Sequence, residues 1–146
     1  MKIVWVLLAL LSGMFLPIQA GLNSRLGKTI ESPVHASLVS FIVGAIAIIV
    51  YSLLTRQHVM WTGLKTAPTY LWLGGVLGAI YVTVIILAFP RIGPALTFGL
   101  VVAGQMIMSV LLDHFKVLVA QPQPLNIWKI LGVMLIISGV IIIRKF

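Results

Sequence analysis

The sequence predicts an all-α integral membrane protein with five transmembrane helices. Its 146 residues have a mean hydropathy of +1.20, and 61% of them are hydrophobic. Only 8% are charged, whereas soluble domains average about 25%. Both acidic residues, Glu31 and Asp113, and the ten Lys and Arg lie between long apolar stretches or at their ends. Each of the five stretches is about long enough to cross a bilayer as a helix, so the composition excludes a soluble domain.

The five predicted spans belong to a single membrane domain. Every backbone amide in hydrocarbon needs a partner within the protein, so apolar segments of this length form helices. Strand-like alternation is absent, which argues against an outer-membrane barrel. The gaps include a polar loop at 55–69, a tight turn at 90–94 and a stiff polar run at 121–124. The predicted spans cover residues 3–22, 34–54, 70–89, 95–112 and 128–143.

The first stretch has some features of a secretory signal. Lys2 precedes an apolar run, and residues 17–20 follow it as a candidate cleavage region. Ile18 fits poorly where a small residue is needed before cleavage, and the apolar run is longer than a typical signal core. We therefore expect this stretch to be retained as the first span.

The residue patterns of enzymes and metal sites are missing from the sequence. Cysteine is absent, and His35, His58 and His114 have no spacing typical of metal ligands. There is no Ser-His-Asp set, no paired carboxylates and no phosphate loop. The net charge of +8 comes from single cations spread over the gaps, which suits anionic lipid head groups better than nucleic acid. We expect no enzyme, cofactor or metal, and we expect membrane lipids as partners.

The cations are shared equally between the two sides of the membrane. Five spans put the termini on opposite sides, so each side carries five Lys and Arg: Lys2, Arg56, Lys65, Lys116 and Lys129 against Arg25, Lys28, Arg91, Arg144 and Lys145. The bias that normally fixes orientation is therefore zero. Either another signal orients the chain, or it inserts both ways and two copies pair head to tail.

Small residues recur at helical spacing in four of the spans. Lipid is as apolar as leucine, so membrane helices associate where small side chains let their backbones approach. This pattern predicts a tight bundle, with candidate packing positions Ala36, Gly44, Gly74, Gly78, Gly99, Ala103, Gly132 and Gly139.

Neutral polar residues are the candidates for substrate binding, because no ionisable residue lies near the middle of a span. Gln105 lies near the centre of the fourth span, and Ser109 and Asp113 share its helix face. Its amide would contact substrate or bond a neighbouring helix. A polar vestibule is predicted from Gln19, Asn23, Ser37, Ser40, Tyr81 and Thr97, with Gln105 and Ser109 completing the candidates. Alternatively, these residues are unrelated caps and hydroxyls bonded to their own helices.

Three ionisable residues near span ends have simpler interpretations. His35 is expected to be an interfacial or capping group rather than a proton relay. Asp113 and His114 are expected to cap or order the end of the fourth span, although a functional role for them stays open.

Several segments together resemble a known family. They are residues 17–27, 40–44, 74–82, 90–95, 102–105 and 112–115. Over nearly the whole chain they resemble the short five-helix (YdcZ-type) branch of the drug/metabolite transporter superfamily. The resemblance implies a half-sized inner-membrane transporter that dimerises, similar to the small multidrug resistance proteins, in which two antiparallel copies form one unit. It also implies dual topology, which agrees with the equal cation count.

One residue departs from the related small multidrug resistance pattern. Those proteins carry a first-helix Glu that exchanges substrate for protons, whereas the nearest polar residue in this helix is Gln19. An amide stabilises a cation in low dielectric much less than a carboxylate does, so a neutral, zwitterionic or anionic substrate fits at least as well. We expect a small-molecule secondary transporter, working by alternating access as an antiparallel homodimer. The alternatives are a small dual-topology channel and a non-transporting scaffold or accessory subunit.

Overall fold

The computed structural model describes residues 2–120 and 122–146, and all regular structure in these ranges is helical. The helices are α1 (Lys2–Thr29), α2 (Pro33–Leu54), α3 (Trp61–Thr66), α4 (Leu73–Ile92), α5 (Pro94–Phe115) and α6 (Ile127–Lys145). A 3₁₀ turn, Thr69–Trp72, leads into α4. All of these helices except α3 are long and apolar enough to cross a membrane, which confirms the predicted all-α class with five candidate spans. Gln121, the first residue of the predicted polar run, lies outside the described residues.

Helix α1 continues well beyond the polar boundary at which the first span was predicted to end. The prediction ended the span at residue 22, but α1 runs through the polar segment to Thr29. Asn23, Ser24 and Gly27 are buried in this last part of the helix. The composition of this segment is typical of a loop, but it is helical here: Asn23 and Ser24 pack against protein on one face, while Arg25 and Lys28 stay exposed.

A short connection at residues 30–32 joins α1 to α2, and it has a well-formed helix cap. Ser32 is the N-cap of α2, its Oγ accepts from the His35 backbone N–H at 3.4 Å, and Pro33 occupies the first turn. The Ser32 Oγ also lies 2.7 Å from Nδ1 of His35. Such a pattern is typical of a helix start, and it places the exposed His35 at a capping position.

The connection between α4 and α5 is shorter than the predicted turn at 90–94. Pro90, Arg91 and Ile92 belong to α4, Pro94 opens α5, and Gly93 alone lies between them. Gly93 has φ = +81°, a conformation that side-chain-bearing residues rarely adopt. Glycine at this position therefore allows the chain to end one helix and begin the next within a single residue.

The chain forms two compact units. The first ends at Arg91 and contains α1, α2, α3 and nearly all of α4, whereas the second, Ile92–Phe146, contains α5 and α6. In the second unit α5 and α6 approach closely where Gly99 faces Val140: a Cβ atom placed on Gly99 would lie 3.1 Å from Cγ2 of Val140. Ala103 and Val140 are buried at this contact. At the far end of α5, Nζ of Lys129 pairs with Oδ2 of Asp113 at 2.9 Å.

The other candidate packing positions divide into two groups. Ala36 is fully buried, and a Cβ atom on Gly78 would lie 3.7 Å from the ring of Phe41. In contrast, within the described ranges nothing comes within 4 Å of a Cβ atom built on four of the glycines, namely Gly44, Gly74, Gly132 and Gly139. These four therefore remain open for contacts outside a single chain.

Candidate substrate-binding site

The close approach of α1 and α2 builds the first part of the candidate site. A Cβ atom on Gly27 would lie 3.3 Å from Cα of Pro33 and 3.5 Å from Cβ of Ala36. Ala36 is 0% exposed, so the two small residues pack directly against each other's helices. Close backbones of this kind let short polar side chains reach across to the neighbouring helix.

Where α1 and α2 lie close together, a hydrogen bond between Asn23 and Ser40 joins them. The Asn23 side-chain Nδ2 donates to Oγ of Ser40 over 3.0 Å, and Asn23 is 7% exposed. A buried amide without a partner is unfavourable in an apolar medium. The bond therefore satisfies the Asn23 amide and fixes which faces of α1 and α2 meet. These two predicted site residues are therefore direct neighbours.

Ser37 reaches α4 through Thr83, a residue that was not among the candidates. The Ser37 and Thr83 hydroxyl oxygens lie 2.8 Å apart. Each oxygen also lies near a carbonyl of its own helix: Ser37 Oγ at 3.2 Å from Pro33 O, and Thr83 Oγ1 at 2.8 Å from Ala79 O. With one proton per hydroxyl, one residue bridges the helices while the other bonds its own backbone. The signal that could have found Thr83 is its position two residues after Tyr81, on an otherwise apolar helix.

A narrow pocket between α1 and α4 brings three more candidates together. Gln19, Asn23 and Tyr81 line it, together with apolar residues that include Ile85 and Ile86. Its volume is about 10 Å³, which is roughly the room that one water molecule needs. We call this space the Tyr81 pocket.

The hydroxyl of Tyr81 is the unusual group in this pocket. It is buried, and it has no hydrogen-bond partner among the described residues. Nearly all buried polar groups in proteins are satisfied, so an orphan hydroxyl calls for a water molecule or a ligand group. The pocket therefore offers a phenol and two amides, which can bind a polar group by hydrogen bonding without supplying charge.

The candidate residues of the second unit are either bonded within α5 or exposed. Thr97 is buried, and its Oγ1 donates to the carbonyl of Gly93 at 2.6 Å, an ordinary bond within the first turn of α5. Gln105 and Ser109 are exposed, and neither forms a hydrogen bond within residues 2–120 and 122–146. Asp113 bonds Lys129, whose Nζ also donates to the carbonyl of Gln123 at 3.0 Å.

The ion pair between Asp113 and Lys129 was not anticipated. The sequence does hold a signal for it, since the two opposite charges lie at the end of one predicted span and the start of the next. Antiparallel neighbours bring those ends together. Asp113 therefore ties the ends of α5 and α6, in keeping with the ordering role that was expected for it.

The five apolar candidate spans define a polytopic helical membrane protein. The chain belongs to the family described as "Putative inner membrane exporter, YdcZ", whose pattern matches residues 4–142. The family resemblance noted from the sequence is thereby confirmed. The chain is therefore an inner-membrane transport protein with five candidate transmembrane helices, and not an enzyme. Neither a curated protein nor a solved structure matches it.

Proposed function

We propose that the protein exports a small molecule by alternating access, as a homodimer of two oppositely inserted copies. Membership of the exporter family supports the transport of a small molecule. The arrangement in the membrane and the site residues are inferred from the polar groups that a single chain leaves without partners.

The observation that carries the proposal is a pair of unpartnered amides. Gln19 in α1 and Gln105 in α5 are both exposed, and in the described part of the chain neither forms a hydrogen bond. An amide facing hydrocarbon is strongly unfavourable, so polar residues within spans normally face protein or a water-filled cavity. A second copy would cover these amides, together with the open glycines Gly44, Gly74, Gly132 and Gly139.

The small size of the Tyr81 pocket favours alternating access rather than a permanently open path. At about 10 Å³ it is too small for a metabolite, because ligand pockets usually span roughly 300–1,000 Å³. Under the proposal, the site would widen to bind substrate and narrow again between transport steps. In inverted-repeat transporters the site lies near the midplane between the two repeats, and Gln19, Tyr81 and Gln105 of both copies would approach it there.

Dual insertion is testable directly, because the chain has no native cysteine. A single cysteine at Phe146 would be labelled with a membrane-impermeant maleimide in intact and in opened cells. We expect partial labelling in intact cells and complete labelling in opened ones, since each side carries five cations. Labelling from one side only would refute dual insertion.

The antiparallel pairing is testable by crosslinking. The two-fold axis of an antiparallel dimer lies in the membrane plane, so residues at mid-depth can meet their own copies while residues at helix ends cannot. We expect Met106→Cys to form symmetric crosslinks and Arg144→Cys to form none. Strong crosslinks at Arg144→Cys with none at Met106→Cys would indicate parallel copies.

The role of Gln105 is tested by Gln105→Leu, with Gln57→Leu in the exposed connection after α2 as the matched control. A substrate is first identified by screening for solutes that raise the thermal stability of the purified protein. Gln105→Leu should abolish flux of that substrate while the dimer persists, and Gln57→Leu should leave flux unchanged. Normal flux in Gln105→Leu would remove this residue from the mechanism. Ion conductance far above carrier turnover would favour a channel, and absence of any flux would favour a scaffold.

A further inference from the structure

The first unit contains a second cavity, separate from the Tyr81 pocket and much larger. It lies where α1 and α4 end and α2 begins, and its volume is about 200 Å³. An apolar protein cavity of about 150 Å³ is large enough to bind benzene, so this one has room for a small polar group. We call it the basic cavity, because Lys28 and Arg91 line it.

Within the described residues, the two cations of the basic cavity have no acidic partner. Among the described residues the ion pair found is that of Lys129 with Asp113, in the second unit. The Arg91 guanidinium donates through Nη1 to the carbonyl of Leu87 at 2.8 Å, which leaves its other N–H groups available. The side chain of Lys28 forms no hydrogen bond in the described ranges, so its three donors are also free.

An unpartnered hydroxyl on a buried residue, Ser24, provides the second, independent observation at this cavity. Ser24 lines the basic cavity and is only 7% exposed, yet its side chain forms no hydrogen bond to any described residue. A serine in a helix usually bonds a carbonyl of its own preceding turn, as Ser37 and Ser138 do here. Ser24 therefore contributes an unpartnered hydroxyl to the lining of the cavity, where a ligand oxygen could bond it.

The positions of the two basic residues, taken alone, have a simpler explanation. That explanation accounts for neither the unpartnered Ser24 hydroxyl nor the cavity. Lys28 and Arg91 lie in the last turns of their helices, where a cation favours the negative end of the helix dipole. Arg144 and Lys145 occupy the same kind of position at the end of α6. The basic cavity differs because two cations, the unpartnered hydroxyl of Ser24 and the start of α2 line one space.

We propose that the basic cavity binds a phosphate group. Two cations can balance its charge, and the guanidinium, ammonium and hydroxyl supply donors to its oxygens. The N-terminal end of α2, which contributes Pro33 to the wall, adds a partial positive charge. The phosphate belongs either to the head group of an anionic phospholipid or to a soluble phosphate-bearing solute. This binding does not depend on the export mechanism proposed above.

The test compares Lys28→Gln with Arg25→Gln in the full-length protein. Both residues are exposed cations on the last turns of α1, but only Lys28 lines the cavity. One arm measures binding of phosphatidylglycerol against phosphatidylcholine in nanodiscs, by native mass spectrometry and thermal stability. The other arm measures binding of radiolabelled inorganic phosphate and of glycerol phosphate in detergent.

We expect Lys28→Gln to weaken phosphate binding about tenfold or more, because it removes a charge-assisted hydrogen bond. Ser24→Ala should also weaken it, and Arg25→Gln should leave it unchanged. Selective retention of phosphatidylglycerol identifies the lipid, and binding of the soluble phosphates identifies a solute. Equal losses in Lys28→Gln and Arg25→Gln, or no phosphate binding in either arm, would overturn the proposal. Because binding is measured rather than flux, this result is independent of the exporter proposal.

Discussion

Both units have a close contact at a glycine, Gly27 in the first and Gly99 in the second, but they differ in the polar links between their helices. In the first unit, side-chain hydrogen bonds cross between helices, from Asn23 to Ser40 and between Ser37 and Thr83. In the second unit the contact between α5 and α6 is apolar, with Gly99 against Val140, and its polar link is an ion pair near the helix ends. Lipid provides no hydrophobic drive between helices, so packing and hydrogen bonding are the two available means.

This difference suits different roles for the two units. Hydrogen-bonded polar residues can exchange partners with a substrate or with water, whereas a close apolar contact can only separate. We therefore interpret the first unit as the adaptable part that surrounds the Tyr81 pocket. In the proposed dimer, the exposed face of the second unit, which carries Gln105, would contact a second copy.

The largest expected effect is on the apolar contact of the second unit. Gly99→Leu places a bulky side chain where even a Cβ atom would lie 3.1 Å from Val140. Overpacking of this kind destabilises by about 1–3 kcal/mol. The measurement is detergent unfolding of the purified protein. Gly104→Leu is the control, because nothing lies within 4 Å of a Cβ atom there. Equal losses of stability in both variants would mean that the contact between Gly99 and Val140 does not stabilise the protein.

The next effect concerns the unsatisfied hydroxyl of the first unit. Tyr81→Phe removes a buried oxygen that has no partner in the described structure, so the substrate-free protein should become more stable by about 1 kcal/mol. The same variant should lose most of the stabilisation that a bound substrate gives. Tyr70→Phe, at an exposed tyrosine before α4, serves as control. A Tyr81→Phe protein that binds substrate normally would exclude the phenol from the site.

A smaller effect is expected for the hydrogen bond between α1 and α2. A double-mutant cycle with Asn23→Ala and Ser40→Ala should give a coupling of about 0.6 kcal/mol, the average for hydrogen bonds between membrane helices. The measurement is again detergent unfolding of both single variants and the double variant. Additive effects of the two substitutions would mean that the 3.0 Å contact contributes nothing to stability.

The smallest effect is expected at the ion pair. The side chains of Lys129 and Asp113 are 21% and 23% exposed, and pairs near solvent contribute about 0.2–1 kcal/mol. Asp113→Asn should therefore destabilise the protein slightly, and this loss should shrink as salt is raised from 0.05 to about 0.5 M, because salt screens exposed charges. A loss that stays constant with salt would point to a hydrogen bond rather than charge as its source.

The sequence predicted the membrane spans well for a simple physical reason. A helix needs about 20 apolar residues to cross a bilayer. Whether a segment has them can be seen in the sequence alone, without knowledge of the fold. The end of α1 was missed because the polar residues around Asn23 are shielded by neighbouring helices, and composition does not reveal such neighbours. Gly93 shows the same limit. The turn was predicted to span five residues, but with a φ of +81° Gly93 alone connects the two helices.

The site was predictable in part. Gln19, Asn23 and Tyr81 were chosen as polar residues in apolar spans, and the structure brings them to one pocket. Thr83 escaped notice because a threonine in a helix usually bonds its own backbone. The basic cavity could not be foreseen from sequence, because Lys28 and Arg91 are ordinary span-end cations until the packing of α1 against α4 places them around one space.

Ile86 is 2% exposed, and within the described residues it alone lines both the Tyr81 pocket and the basic cavity. Its side chain therefore separates the basic cavity from the neutral polar groups of the Tyr81 pocket. If the basic cavity binds phosphate as proposed, truncating Ile86 should join the two spaces and bring the bound anion closer to the pocket. We therefore expect the size of this one aliphatic side chain to limit exchange between them.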